Sequence, residues 1–168
     1  ILIAFLCVVA HGEFAQNGTI SPYSYFGIGD DRDKGAVDTQ MMGGVSMYGD
    51  SIHINLSNPA AYSKLRLTAY TAGISHKEYQ LKSWNEEQRT SVTNLAIGFP
   101  LAKNVGFGFG IMPYSSVGYS LNSTSNSANG EVSNFFEGEG GLNRLYASIG
   151  FEPIKNLSFG VTANFNFG

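Results

Sequence analysis

Three histidines and one cysteine are the residues of this sequence that most often serve catalysis or metal binding. His11, His53 and His76 lie far apart along the chain and lack the close spacing that paired zinc ligands share. The single Cys7 excludes an internal disulfide and a zinc cluster built on cysteines. We therefore expect no catalytic residue, no metal site and no cofactor, and we expect that the protein is not an enzyme.

Two other segments resemble ligand sites. Asp30, Asp31 and Asp33 could bind calcium, but the spaced acceptors and the closing glutamate of a dedicated calcium loop are missing, so we expect a solvated turn. The glycine-rich run at 106–110 looks like a phosphate loop. Such a loop must open a helix, whereas this run alternates as a strand does. Both segments are therefore interpreted as structural.

The composition is unusual for a water-soluble domain. Charged residues make up 14% of the chain, against about 25% in typical soluble domains. Gly contributes 21 of the 168 residues, and Phe and Tyr contribute 12 and 9. The net charge of -3 is small and the basic residues are scattered, which excludes a nucleic-acid partner. This balance favours a wall with one apolar face and one hydrated face.

The first ten residues are all apolar, and polar residues follow them directly. This pattern predicts the core of a secretory signal peptide over residues 1–15, cleaved after Ala15. Neither an initiator Met nor a basic residue precedes the apolar run, so we expect the signal to be truncated at its start. The alternative is a buried strand, because ten residues are too few to cross a bilayer as a helix.

From Leu65 onward apolar residues recur at every second position, which is the period of a β-strand. The pattern holds over 94–99, 105–111 and 144–152, and more weakly over 65–81. It is clearest in the last segment, whose apolar residues are Leu157, Phe159, Val161, Ala163, Phe165 and Phe167. The sequence therefore predicts five antiparallel strands with large apolar residues on one face.

The predicted connections alternate in length. A loop at 82–90 and a long loop at 122–141 alternate with tight turns at 102–104 and 153–156. This alternation is typical of bacterial outer-membrane barrels, whose short turns face the periplasm and whose long loops face outward.

Several details favour a membrane barrel over a soluble β-sandwich, which also alternates. The hydrated face carries Gly, Ser, Thr and Asn in place of the Lys and Glu that soluble sheets show to water. Aromatic residues stand at the strand ends as interface girdles require, with Tyr114 and Tyr119 at one rim and Phe99 and Phe151 at the other. Lipid tolerates only a closed sheet, and five strands are too few to close one, so we expect further strands beyond Gly168.

The segment before the strands has no sustained period and is rich in Gly, Ser, Asp and Met. Its stretches 21–30 (SPYSYFGIGD) and 41–51 (MMGGVSMYGDS) are followed by Asn58-Pro59-Ala60 just before the first strand. Together they resemble the long-chain fatty-acid outer-membrane transporter family (FadL-like, OmpP/TodX-type), in the version found in Bacteroidetes-type bacteria.

The resemblance implies an all-β fold, in which this chain is the N-terminal part of an antiparallel transmembrane β-barrel of about 14 strands. Residues 16–62 would form an N-terminal hatch or plug inside the barrel, ending in the hatch motif Asn58, Pro59 and Ala60. Residues 63–168 would form the first five strands of the incomplete barrel.

The resemblance also implies a function in the outer membrane. Hydrophobic small molecules such as long-chain fatty acids would pass through the plugged barrel and leave sideways into outer-membrane lipid at a kink in the third strand. That strand holds Pro113, Tyr114, Ser115 and Ser116, and a bulge at the proline would open such a lateral gate. The alternative is that Pro113 marks the boundary between membrane and loop.

Two groups of apolar residues are candidate ligand contacts. Phe135 and Phe136 lie in the otherwise polar predicted loop, where they would either receive a hydrophobic ligand or pack the loop down. Met41, Met42 and Met47 would either line an adaptable pocket or, as we prefer, pack the plug against the barrel wall.

Two further functions stay open at this point. Some relatives of the transporter family serve as outer-membrane partners in protein secretion, which would make the protein an interaction partner of a secretion system. A general porin would lack a plug and conduct small ions. All three hypotheses place the mature protein in the cell outer membrane, after export by the signal peptide.

Overall fold

The computed structural model describes residue 19 and residues 21–32, 35–81, 84–127 and 130–168. Within these ranges, only the backbone is described for 79–81, 84–87, 126–127 and 130–132. The predicted signal peptide at 1–15, which contains Cys7 and His11, lies outside the described residues, as does Asp33.

Four short elements precede a sheet of five long strands. The short elements are a 3₁₀ helix at Pro22–Tyr25, strand β1 at Asp30–Asp31, helix α1 at Val37–Met41 and a second 3₁₀ helix at Pro59–Lys64. The long strands are β2 (Ala69–Leu81), β3 (Trp84–Ala102), β4 (Val105–Ser127), β5 (Gly130–Ile154) and β6 (Leu157–Phe167). We call the described residues ahead of β2 the leader segment.

The long strands form an antiparallel meander in the order β2-β3-β4-β5-β6. Each strand pairs with the next, which confirms the prediction of an all-β, antiparallel fold. Among the described residues β2 and β6 do not pair with each other, so the sheet is open and not a closed barrel. β1 lies off the meander and pairs with β4.

The strands are longer than the alternation predicted. β3 already begins at Trp84, inside the predicted loop at 82–90. The predicted loop at 122–141 is largely taken up by β4 and β5. Both loop predictions were wrong because a hairpin satisfies its backbone hydrogen bonds by pairing, even where most of its side chains are polar. Ser, Asn and Gly residues hide such strands from a search for apolar periodicity.

The two tight turns are confirmed. Residues 103–104 join β3 to β4, and residues 155–156 join β5 to β6. Asn156 adopts a φ of 71°, the left-handed conformation that asparagine tolerates better than most residues.

Cross-strand register arranges large apolar residues in continuous rows on one face of the sheet. Two of these rows are Leu95, Ile111, Leu145 and Phe165, and Phe99, Phe107, Ile149 and Val161, and the row Ile97, Phe109, Ala147 and Ala163 lies between them. This face is open to the surroundings, and Val161 is 68% exposed. We call it the apolar face.

The opposite face carries small residues, and the leader segment packs on it. Its glycines come from four strands and are Gly98, Gly106, Gly108, Gly150 and Gly160. A Cβ atom at Gly106 would overlap the carbonyl oxygen of Tyr62, and one at Gly160 would overlap the backbone nitrogen of Ala60. Glycine therefore lets the leader backbone touch the strand backbone. We call this surface the glycine face.

A small hydrophobic core joins the leader segment to the glycine face. The leader contributes Ile54, Tyr62 and Leu65, and the sheet contributes Ala96, Met112 and Tyr146. All six side chains are at most 5% exposed. Within the described part of the chain, this hydrophobic core therefore lies between leader and sheet.

Replacing Gly106 by Val is expected to lift the second 3₁₀ helix off the sheet, because the new side chain would occupy the place of the Tyr62 carbonyl group. Overpacking of this kind typically costs about 1–3 kcal/mol. We expect a lower unfolding temperature and faster proteolysis of the leader segment in detergent-purified protein. The matched control Ala163→Val lies on the exposed apolar face and should change neither quantity. Equal behaviour of the two variants would contradict the docking.

Candidate functional site

The second 3₁₀ helix is the part of the leader segment that sits on the glycine face. Its cap is Asn58, whose side-chain oxygen accepts a 3.1 Å hydrogen bond from the backbone N–H of Ala60. Pro59 starts the first turn, where its missing N–H leaves no donor unsatisfied. The predicted hatch motif Asn58, Pro59 and Ala60 is therefore the start of a docked helix. Whether this helix moves as a hatch stays a prediction.

Two tyrosines meet below this helix. The hydroxyl oxygens of Tyr62 and Tyr146 lie 3.3 Å apart, and both residues are at most 2% exposed. Each hydroxyl thus gives the other a hydrogen-bond partner, which a buried polar group requires. The pair ties the leader segment to β5.

An ion pair fixes the far end of the same helix. Lys64 Nζ lies 2.6 Å from Glu152 Oε1, and the glutamate side chain is only 8% exposed. The same carboxylate oxygen accepts a 2.9 Å hydrogen bond from the backbone N–H of Asn156. The leader segment is thereby connected to the tight turn between β5 and β6.

The sheet divides between β3 and β4. Their pairing ends at Leu95 and Ile111, although β3 extends to Trp84 beside β2 and β4 extends to Ser127 beside β5. No ladder joins β3 and β4 beyond that point within the residues that the structure describes. We call this divergence the split.

β4 bulges beside the split. Its register with β5 shifts between Pro113 and Ser115, as expected for a proline that cannot donate to a ladder. Pairing with β5 resumes at once, so the opening lies on the β3 side of β4 and not at the bulge itself. The guanidinium carbon of Arg144 lies over the Tyr114 ring, 4.2 Å from the ring centre. The predicted gate residues Pro113, Tyr114, Ser115 and Ser116 therefore border the split.

The leader segment covers the β4 edge that β3 leaves. β1 pairs with two β4 positions just beyond the bulge. Further along, the backbone N–H of Gly118 donates a 3.1 Å hydrogen bond to Ser24 Oγ. Tyr25 packs edge-to-face on Tyr119, with ring centres 5.1 Å apart. Backbone groups that β3 does not reach are thus paired by the leader.

Arg32 follows β1 and bridges the split. Its backbone N–H donates to the Tyr114 carbonyl oxygen at 3.0 Å. Its Nη1 donates to Ser91 Oγ of β3 at 2.9 Å, and its Nε donates to Ser116 Oγ of β4 at 3.2 Å. Sequence reasoning missed this residue because a single arginine in an irregular segment carries no periodic signal. Only the strand register reveals its position.

The leader methionines are exposed. Met41 is 83% exposed, Met47 is 90% exposed and Met42 is also on the surface. Both readings of these methionines, a ligand pocket and packing against a complete barrel wall, therefore stay predictions. The methionine that is buried against the glycine face is Met112 of β4.

Phe135 and Phe136 belong to β5 and not to a loop. They pair in register with Asn122 and Leu121 of β4, in the hairpin that ends the long strands. Both rings are exposed, Phe135 by 64%. They therefore do not pack the hairpin down.

Asp50 and His53 form a tight turn in the leader segment. Asp50 Oδ2 lies 2.5 Å from His53 Nδ1, and Asp50 Oδ1 accepts from the backbone N–H groups of Ile52 and His53 at 2.8 and 2.7 Å. The hydrogen bond from Asp50 raises the pKa of His53, against partial desolvation. Desolvation pushes the pKa of Asp50 up, but the hydrogen bonds from His53 and Ile52 outweigh it and lower that pKa.

No metal site is formed in the described part of the chain. Nowhere among these residues do three or more His, Cys, Asp or Glu side chains come together closely enough to hold an ion. Separately, none of the described helices has both the length and the apolar character needed to cross a bilayer.

The leader segment and the sheet are covered together by one family match. The BamG family model matches residues 1–168. The chain belongs to the BamG family. No curated protein and no solved structure matches the chain.

Membership in the BamG family corrects two predictions. The resemblance to the long-chain fatty-acid transporter family was wrong, and so was the prediction of transport of fatty acids or other hydrophobic molecules. The secretion-partner and porin alternatives are likewise unsupported. The residues that carried the resemblance have structural roles, since Asn58 caps a helix and Pro59 and Ala60 pack against glycines of the sheet. Such roles do not depend on a transported molecule, so these residues do not indicate one.

Removing the cap should loosen the docked helix. Asn58→Ala deletes the acceptor of the Ala60 N–H, and loss of a helix cap typically costs about 0.5–2 kcal/mol. Asn58→Asp keeps an acceptor oxygen and is the matched control. Chemical unfolding in detergent should rank the wild type and Asn58→Asp together, above Asn58→Ala. An alanine variant as stable as the wild type would contradict the capping role.

The stability contributed by the turn at Asp50 and His53 should fall both at acidic pH, through Asp50, and at higher pH, through His53. The raised pKa of His53 stabilises the fold fully below 6.5, and this contribution is lost as the pH rises through the folded-state pKa. The lowered pKa of Asp50 stabilises the fold above 3.8, and this contribution is lost as the pH falls through the folded-state pKa. An NMR titration of His53 should give a pKa above 6.5 that falls in Asp50→Asn. An unaltered pKa in that variant would rule out the interaction.

Proposed function

We propose that the protein is an outer-membrane component that works with the β-barrel assembly machinery. The observation that carries this proposal is the match of the BamG family to residues 1–168, which includes both the leader segment and the sheet. The proposed partner is therefore the protein machinery that inserts β-barrels, and the proposed location is the cell envelope at the outer membrane.

The apolar face supports a membrane location. Its rows of Leu, Ile, Val and Phe run across β3 to β6 without a charged residue among the paired positions. Contiguous exposed apolar surfaces of this kind mark membrane or protein interfaces. We propose that this face lies against lipid or against apolar surfaces of the machinery, as part of a larger β-barrel wall.

The glycine face supports a plugged interior. The leader segment fills this side of the sheet through backbone contacts, a buried tyrosine pair and a partly buried ion pair. The proposed role needs no catalytic centre. We propose that the protein acts by binding and positioning other proteins.

Depletion of the protein tests the proposal. Lowering its level in cells should reduce the amount of several unrelated outer-membrane β-barrels in the membrane fraction, and affinity-tagged protein should co-purify with the machinery's central barrel subunit. Uptake of labelled fatty acid should fall no more than the general loss of barrels explains. Normal barrel assembly after depletion, or purification without any assembly subunit, would refute the proposed role.

A charge on the apolar face tests the membrane location. Ile149→Arg places a cation in the middle of the apolar rows, where a lipid-facing strand would lose about 2–4 kcal/mol. We expect much less protein in the outer membrane. Ser133→Arg, on the exposed β4–β5 hairpin, is the matched control and should insert normally. Normal insertion of Ile149→Arg would mean that this face meets neither lipid nor an apolar partner.

A further inference from the structure

At the split, the facing edges of β3 and β4 do not pair with each other. β3 between Trp84 and Asn94 is paired with β2, and β4 beyond Ile111 is paired with β5. Their facing edges carry backbone N–H and C=O groups that form no β3–β4 ladder within the described residues. Such edges are templates for an added strand, and in a membrane they must be paired.

We propose that the split is an acceptor site for an extended β-strand of another outer-membrane protein, which competes with the leader segment for the edge of β4. This inference rests on the proposed function, because β-strands of outer-membrane proteins are what the assembly machinery handles. The ladder between β1 and β4 establishes that an extended segment fits there in antiparallel register. The site continues without a break along β4 to Ser127.

The leader segment is a weak occupant of this site. Its strand is two residues long, and both residues are aspartates, which are depleted from strands. Gly29 precedes them with a φ of 87°, so the extended conformation is interrupted there. Arg32 holds the segment in place through side-chain hydrogen bonds to Ser91 and Ser116. A longer strand would form more ladder pairs than the leader does.

The flanks of the split specify the chemistry of the partner. Beside the split, Ser91, Ser115 and Ser116 are buried, and Ser115 Oγ has no hydrogen-bond partner among the described residues. On the apolar-face side, Val92 and Ile111 are exposed. A strand that alternates polar residues inward with apolar residues outward fits both flanks. That alternation is the pattern of an outer-membrane barrel strand.

A disulfide lock tests the inference in the full-length protein in cells. Asp31 and Ser115 are register partners, so the pair Asp31→Cys and Ser115→Cys would hold the leader in the split by a disulfide. A photo-crosslinking residue at Ser120 of β4, beyond the leader contacts, would report what lies beside the edge. Ala147→Cys with Ala163→Cys forms the matched control lock between β5 and β6, away from the split. Cys7 is replaced by Ser in every variant.

We expect crosslinks from Ser120 to other outer-membrane proteins in the control lock. They should be largely lost in the leader lock, because the disulfide keeps the leader strand on the edge of β4 and an entering strand can no longer displace it. Reduction of the disulfide should restore them, and Arg32→Gln, which loses the bridge to Ser91 and Ser116, should increase them. Crosslinks that are unaffected by the leader lock, that go to a second copy of this chain, or that are absent from every variant would overturn the inference.

Co-purification separates this inference from the proposed function. Each variant is also tested for association with the assembly machinery through an affinity tag. Association that persists while the leader lock leaves the crosslinks unchanged would refute the acceptor site and keep the proposed function. Loss of association in all variants, including the control lock, would refute both.

Discussion

The structure depends on close contact between two backbones: the leader segment at Pro59–Lys64 and the glycines of the sheet. A single Cβ atom at Gly106 or Gly160 would occupy space that the leader backbone fills. The other contacts between leader and sheet follow from this approach. Because the second 3₁₀ helix lies against the strand backbones, the Tyr62 hydroxyl reaches that of Tyr146. Lys64, at the end of the same helix, reaches Glu152. With larger residues in place of these glycines, the leader could not approach the sheet closely enough to bury the core between them.

The same sheet is shaped by where its pairing stops. β3 and β4 pair as far as Leu95 and Ile111 and then diverge, while each keeps its other neighbour. The leader segment enters this divergence with β1 and with the side chain of Arg32. The leader segment therefore contacts the sheet in two places, on the glycine face and along the edge of β4.

Residue alternation predicted the class of fold and the two faces of the sheet, because side-chain direction in a strand follows from position alone. It also located the tight turns, where polar residues break the period at 103–104 and 155–156. It failed at the hairpin between β4 and β5, whose Ser and Asn side chains give no apolar signal although the two strands pair with each other along it. Residue alternation could not predict contacts between segments that are distant in the sequence. The partners of Arg32 lie 59 and 84 residues away, and no local pattern encodes such a distance.

The resemblance to a transporter family failed for a related reason. An Asn-Pro-Ala cap and a glycine-rich leader reflect how the segment packs on the sheet, and they do not indicate what the protein transports. In place of transport, we propose that this leader-filled sheet serves the assembly of β-barrels. An experimental structure of the full-length protein, purified from outer membranes with the partners that remain bound, tests it most directly. We expect the leader helix on the glycine face, the apolar rows against lipid or protein, and an assembly subunit in contact. A protein found alone, with an empty glycine face and a channel holding lipid, would contradict the account.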